Sequence, residues 1–469
     1  MLEGRLSVST AFSAPAPPFA AAIRLRRSLS QDAILLVAFA TFDGTAAGDE
    51  RETCLRSERD VAIAACTGAI ASGGLQGHDL AAGYLARGRA YAAIGDFDRA
   101  IADYDQAIQL DPNFASPFHS RGNAYERARD YDRAMADYNR AIQLDPKYAL
   151  AFLSRGNAYS DKRAYDLAIA DYDEAIKLKP DYASAFFNRG IAYRAKNQID
   201  RAIADYDQAI RINPQYAIAF NNRAIAYRAK GEIDRAIADY DQAIRINPQY
   251  AIAYNNRGIA YRDKGDLDRA IADHTQAIRL NPQYANAFFN RGVTYRRKGE
   301  IDLAIADYDQ AIRLNPQDSA AYNNRGFAYR AKGENARAIA DYDQAIRLNP
   351  QYANAYNNRC FSRTVVGQLR EALADCNEAL RLNPNDASYL NSRGLTYLKL
   401  GELERAVADY DAALRYNSKD SNSLYGRGSA KRKKGDGTDG DADIAAAKSL
   451  EADIEQKFAQ YGIDRAGAE

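Results

Sequence analysis

Nine of the 13 prolines stand at positions 112, 146, 180, 214, 248, 282, 316, 350 and 384, each 34 residues beyond the last. Self-similarity at a fixed period of roughly 20 to 50 residues marks a chain built as an array of stacked units. That overrides the about three domains a 469-residue chain would otherwise suggest. With the first position of the repeat placed at Ala81, ten repeats run from 81 to 420. Residues 217–250, AIAFNNRAIAYRAKGEIDRAIADYDQAIRINPQY, are typical. Phe220, Ala224 and Tyr227 are spaced i, i+4, i+7 and form the apolar stripe of a first helix, A; Ala236, Ile237, Tyr240, Ala243 and Ile244 form that of a second helix, B. Position 8 is Gly in eight of the ten repeats and positions 20 and 27 are Ala in all ten, so the two helices can approach closely. The turn Lys230-Gly231-Glu232 supplies a Gly able to take the left-handed conformation that ends a helix. Asn247-Pro248 stops the second helix, because Pro lacks a donor and biases its predecessor away from helical angles. Neither helix buries its stripe alone, so neighbouring pairs must stack into an all-α solenoid.

These residues resemble the tetratricopeptide repeat. That family's aromatic, Gly, Tyr, Ala, aromatic, Ala and Pro stand here at Tyr254, Gly258, Tyr261, Ala270, His274, Ala277 and Pro282, with only the second aromatic replaced, by His274. The resemblance covers 81–420 and implies a right-handed superhelix whose A helices line a concave groove. It also implies that A-helix positions 2, 5, 6, 9, 12 and 13 face that groove.

The pattern decays at both ends. Residues 60–71 match a B helix and are followed by a loop, SGGLQGHD, four residues longer than usual, so 51–80 reads as a degenerate half-repeat that caps the array. Gly426-Arg427-Gly428 opens an eleventh repeat that loses its Tyr to Lys431, and a Gly/Asp-rich stretch, 435–443, leads to a charged helix expected over 444–460. Thus 421–469 reads as a degenerate repeat plus a C-terminal capping helix, as solenoid solubility requires. Residues 1–50 share nothing with the repeats. Arg24, Arg26 and Arg27 precede the apolar run 33–42 and the small residues Thr45-Ala46-Ala47, the order of a secretory signal; the alternative is a poorly packed N-terminal helix. Ten apolar residues are too few to span a bilayer. The expectation is export to the periplasm, with a cytoplasmic location as the alternative. Bacterial exported proteins with such repeats are similar in carrying a Cys pair just before the first repeat. This makes Cys54 and Cys66 a candidate disulfide, although Cys66 also reads as a small core residue at the position of Tyr104. Cys376 likewise replaces that Tyr and Cys360 replaces the Gly at position 8, so both read as core substitutions.

Composition narrows the function. Lys plus Arg number 63 and Asp plus Glu 62, a net charge of +1 that argues against a generally basic nucleic-acid binder. A helical-repeat RNA binder would favour a 35-residue period and a basic surface. The three His, His78, His119 and His274, leave little material for catalysis or metal binding, and no metal or other cofactor is expected. No phosphate-binding Gly loop, Gly-x-Ser-x-Gly or His-Glu-x-x-His occurs. Asp439-Gly440-Asp441-Ala442-Asp443 begins like a calcium loop, but Ile444 and Leu450 stand where that loop needs Gly and Glu.

Three rows on the A helices are the candidate peptide-binding residues. Position 6 reads Asn188, Asn222, Asn256, Asn290, Asn324 and Asn358, amides that can match the N–H and C=O of an extended backbone; the plainer alternative is that they cap or solvate helix starts. Position 9 is Ile191, Ile225, Ile259, Val293, Phe327 and then Phe361, an apolar stripe. Position 12 is Arg194, Arg228, Arg262, Arg296 and Arg330, a basic edge suited to a polar or acidic segment; alternatively these Arg pair with carboxylates on the rim. The Lys with which some members of the family clamp a terminal carboxylate is missing, since position 5 is mostly Asn or Phe. Position 7 is Arg and position 23 is Asp in all ten repeats, which reads as a structural pair joining the helices. The expected function is a non-catalytic protein–protein interaction scaffold that holds an extended peptide in its groove. The alternative is a structural solenoid that self-assembles into an oligomer or lattice.

Overall fold

The computed structural model describes residues 52–54 and 60–463; the signal-like leader lies outside the described residues. Among the described residues there are 24 helices between Asp60 and Gln460 and no strands. None is long and apolar enough to cross a membrane. The chain divides into two compact bodies at Asp111/Pro112.

In the first body, the helix expected at 60–71 is found at Asp60–Ala71, followed by Gly77–Ala93 and Phe97–Leu110. Cys54 and Cys66 are fully buried and joined by a disulfide, packed with Ala69 and Leu75. Gly83 lies where a Cβ would collide with Leu75, so the long loop is laid directly on the following helix.

The second body is a succession of A–B helix pairs from Ala115–Arg127 and Tyr131–Leu144 to Ser421–Lys434 and Gly437–Leu450, with a short helix Ile454–Gln460 after them. Each A helix packs on its own B helix, on the B helix before it and on the next A helix, whereas successive B helices do not pack together. The A helices are therefore the more closely spaced layer. The contact that sets the A–B distance is between positions 8 and 24. At Gly122, Gly156, Gly190, Gly292 and Gly326 an added Cβ would come within 2.7–2.9 Å of the ring of the Tyr 16 residues on. Those rings, from Tyr138 to Tyr342, are at most 1% exposed. In the repeat 353–386 both members change together: Cys360 replaces the Gly, Cys376 replaces the Tyr, and the two are joined by a disulfide. The reading of each as a separate core substitution is corrected by this bond.

The Arg at position 7 ties the helices together. In all ten repeats, and in the eleventh through Arg427 and Asp443, Nε and Nη2 donate to the two carboxylate oxygens of the Asp 16 residues on, at 2.5–2.9 Å. Nη1 reaches back to position 25 of the preceding B helix, as Arg223 does to Asp207 at 2.5 Å and Arg257 to Asp241 at 2.6 Å. Arg223 is also flanked by Phe220 and Tyr227, whose ring centres lie 5.4 and 5.8 Å away. The hydrogen bonds to Asp307 raise Arg291 above an ordinary arginine, so the cation is permanent.

The C-terminal helices differ from expectation. In place of one helix over 444–460, a helix starts at Gly437, stops at Leu450, and a second runs from Ile454 to Gln460. The glycines are not a loop signal here: Gly440 packs against the Gly428 carbonyl, 2.8 Å from where its Cβ would be, so the pair permits a close crossing. The break falls at Glu451, 34 residues after Asn417, which ends the preceding B helix in the same extended conformation.

Two predictions follow from local geometry. Gly231 has φ +78°, and the equivalent residues Arg163 and Asn197 are forced to φ +60° and +59°. Arg163→Gly relieves a left-handed arginine and should stabilise the surrounding helices by about 1 kcal/mol, read from hydrogen exchange of 149–178. His274 stands fully buried at position 24, where burial, with Arg262 and Arg291 nearby, pulls it down to about 3. The unfolded chain binds that proton near pH 6.5, so stability is full above 6.5 and falls as pH drops toward 3. Between pH 7 and 5 the wild type should lose about 2 kcal/mol more than His274→Tyr, compared by urea titration at each pH.

Candidate functional site

The three rows lie on the face where successive A helices of the second body meet. At position 6 each amide is already engaged within the array. Asn256 Nδ2 donates to Asn221 Oδ1 of the preceding repeat at 3.0 Å, Asn290 to Asn255 at 3.2 Å, and Asn358 to Asn323 at 3.0 Å. Asn188 donates to Asn157 at 2.9 Å, while Asn222 and Asn324 donate to the carbonyls of Ile218 and Ala320 on their own helices. Asn222 is buried, and the other five are half-buried. The row is thus in large part an amide relay between repeats, with Asn221, Asn255 and Asn323 at position 5 as its buried acceptors. Sequence reasoning passed over those acceptors; the signal was the Asn-Asn doublet at 221–222, 255–256 and 323–324.

Position 9 is packed more than displayed. Ile191 is buried beside Phe187 in one core cluster, Ile225 borders Tyr227 and Tyr240, and Val293 borders Tyr308 and Tyr329. Ile259, Phe327 and Phe361 are half-buried.

Position 12 behaves differently from position 7. Arg228 is 3.1 Å from Asp263 on the next A helix. Among the described residues, no carboxylate lies within 4.0 Å of Arg262, Arg296 or Arg330. Arg262 Nη1 donates to Asn290 Oδ1 at 3.5 Å, linking the basic row to the amide row. Burial, with Arg228 and Arg297 close by, pulls Arg262 below the usual arginine value. Arg296 Nε is buried with no hydrogen-bond acceptor. Arg194 and Arg228 lie beside the Tyr240 hydroxyl, and Arg296 beside that of Tyr308, which burial pushes up to about 12. The row is therefore a line of cations set against buried phenols, with few acids of its own.

A polar cluster that sequence reasoning also passed over lies at the start of the second body. His119 Nε2 is 3.0 Å from Ser154 Oγ and its Nδ1 is 3.3 Å from Tyr148 Oη, while the single Tyr138 O–H lies 2.7 Å from both Glu126 Oε2 and Asn123 Oδ1. The imidazole thus meets a hydroxyl at each nitrogen, an arrangement that fixes side chains between neighbouring helices. Among the described residues, no three His, Cys, Asp or Glu converge as a metal site would. The calcium-like stretch 439–443 lies inside a helix, with Asp443 bonded to Arg427 and Lys431.

Family models described as TPR repeat match residues 88–128, 130–162, 156–194, 190–227 and 225–261, and models described as tetratricopeptide repeat match 255–319, 289–353, 365–423 and 391–440. The chain belongs to the tetratricopeptide repeat family. A tetratricopeptide repeat array is in general a protein-interaction scaffold. Among solved structures, this tetratricopeptide repeat chain is similar to the APC/C hetero-tetramer Cut9-Hcn1, at 15% identity over 89% of this chain and 95% of that one, with a TM-score of 0.49. It is also similar to a tetratricopeptide repeat protein from Parabacteroides merdae, at 22% identity over 53% of this chain and 98% of that one, with a TM-score of 0.44. A third is YrrB, described as a TPR protein with an unusual peptide-binding site, at 23% identity over 39% of this chain and 95% of that one, with a TM-score of 0.34. No curated protein matches the sequence.

The relay carries its own prediction. Asn255 Oδ1 accepts from Asn290 at 3.2 Å and faces His274 Nδ1 at 3.2 Å. Asn255→Ala strands the buried His274 Nδ1, whereas Asn290 keeps the Asn286 carbonyl at 2.8 Å, and should cost about 1 kcal/mol, seen as faster hydrogen exchange confined to the repeats around it.

Proposed function

We propose that this scaffold binds an extended, acidic segment of a partner protein along the A-helix face of 183–365, without catalysing a reaction on it. The observation that carries the reading is the contrast between two arginine rows on the same helices. Every position-7 guanidinium is matched by its own aspartate, as Arg257 is by Asp273 and Arg325 by Asp341. At position 12, Arg262, Arg296 and Arg330 recur 34 residues apart, and among the described residues none of the three forms an ion pair with a carboxylate, Asp263 acting on Arg262 only from a distance. A cation row at the repeat spacing suits a ligand that runs across the A helices and offers a carboxylate to successive repeats. Because four of the six position-6 amides donate to an Asn of an earlier repeat, they act here mainly by holding the arginine-bearing helices in register. Affinity then rests on charge, and the association should depend strongly on salt.

The apolar run after Arg24, Arg26 and Arg27, with the Cys54–Cys66 disulfide, supports the further reading that the protein works in an oxidising compartment outside the cytoplasm, as a periplasmic protein does.

The test uses a fluorescein-labelled dodecapeptide rich in Glu and Asp, with anisotropy read on the full chain. Replacing Arg262, Arg296 and Arg330 together by Gln should weaken binding about tenfold or more and flatten its salt dependence, with the circular-dichroism melt retained. Unchanged affinity in that variant would refute the reading.

A further inference from the structure

We propose that Arg296, Phe327, Arg330 and Phe361 form a subsite for one aromatic side chain of the bound segment, so that the ligand is an acidic peptide carrying a Phe, Tyr or Trp. The proposal rests on the acidic-segment reading above and adds the residue by which that segment is placed. At position 9 the aliphatic residues Ile191, Ile225, Ile259 and Val293 give way to Phe327 and Phe361. The two rings alternate with position-12 guanidiniums. Arg296 lies 4.8 Å from the centre of Phe327; Arg330 lies 4.4 Å from Phe327 and 4.8 Å from Phe361. Planar cations and ring faces in alternation form a surface on which a further ring stacks or meets an edge favourably.

The chain itself seats an aromatic residue on this row. Ile454–Gln460 is anchored by Ile454 and Phe458, both buried, and Phe458 lies 4.6 Å from the Tyr425 ring. The chain then turns so that the Tyr461 ring meets Phe361 nearly perpendicularly at 5.1 Å. Lys399 Nζ fixes that turn by donating to the Tyr461 carbonyl at 2.8 Å. Tyr461 therefore closes the row at Phe361 and shows which kind of side chain the row accepts. Among the described residues, no other ring pairs with Phe327, at the opposite end of the row. Beside it, the Nε of Arg296 is buried without an acceptor. An incoming aromatic residue next to an Asp or Glu would cover Phe327 while its acidic neighbour meets the Arg296 guanidinium.

The experiment is fluorescence anisotropy on the full chain with two fluorescein-labelled dodecapeptides, both Glu-rich, one with a central Phe and the other with Ala in its place. The Phe peptide should bind about fivefold tighter or more. Phe327→Ile, which installs the residue that three other repeats already carry, should bring the two peptides to equal affinity while leaving the thermal melt unchanged. Equal binding of both peptides to the wild type, or a preference for Phe that survives in Phe327→Ile, overturns the subsite and leaves the acidic-groove reading standing. If neither peptide binds, both readings fall.

Discussion

A guanidinium carries its N–H groups in one plane, and at position 7 that plane is filled on two sides. In the repeat 217–250, one edge of Arg223 forks onto Asp239 of its own B helix, while the remaining nitrogen reaches Asp207 of the B helix before it. One side chain thus fixes the angle within a helix pair and the step from one pair to the next. Both groups are largely buried, so desolvation offsets much of the attraction, and the stronger consequence is specificity: a shifted register would leave a buried charge unpaired. The constancy of the 34-residue step follows from that penalty. An insertion between positions 7 and 23 would separate Arg from Asp; the lengthened loop 72–79 lies outside that span, before Arg87.

Once position 7 holds the helices, the opposite side of each A helix is relieved of that task, and the repeats use it in graded ways. Positions 5 and 6 form side-chain hydrogen bonds between neighbours; position 9 fills the space between them; position 12 keeps guanidiniums at Arg262, Arg296 and Arg330 that form no ion pair among the described residues. The proposed binding surface is thus narrower than three rows of side chains spaced alike would suggest. An Asn at a repeat spacing matches a peptide backbone and matches another Asn equally well, because the amide is both donor and acceptor. Which of these it does follows position 5 of the preceding repeat: where that is Asn221, Asn256 bonds it, and where it is Phe187, Asn222 turns to the Ile218 carbonyl of its own helix.

That distinction shows what could be read from the sequence. Helix identity, the turns and the helix at Asp60–Ala71 followed from local rules: apolar spacing, a Gly able to take positive φ, and Asn-Pro stops. The position-7 to position-23 pair followed from two invariant columns of opposite charge. The disulfide at Cys360 and Cys376 was hidden because each Cys has a reasonable explanation alone; only the close approach of positions 8 and 24 shows that the two substitutions form one change. The C-terminal helices were misplaced for a related reason. Gly437 and Gly440 count against a helix by propensity, yet the crossing with Gly428 needs them, and packing outweighs a cost of roughly 1 kcal/mol per glycine. The Tyr461–Phe361 contact joins residues 100 apart in sequence, beyond the reach of any periodic pattern.

A net charge of +1 conceals how unevenly the charge is placed. Beyond the position-7 pairs, lysines at position 14 meet aspartates at position 18 of the preceding repeat: Lys230 meets Asp200 at 2.7 Å, Lys264 meets Asp234 at 2.6 Å and Lys332 meets Asp302 at 2.7 Å. These exposed pairs add little stability each, about 0–1 kcal/mol. Their larger effect is electrostatic, because they neutralise the outer edge of the array row by row. Of the repeating cation rows on the A helices and their turns, positions 7 and 14 are cancelled locally, which leaves position 12 to set the field along the A-helix face. A protein neutral overall can in this way present a basic strip on the A-helix face, which would draw in an acidic segment there.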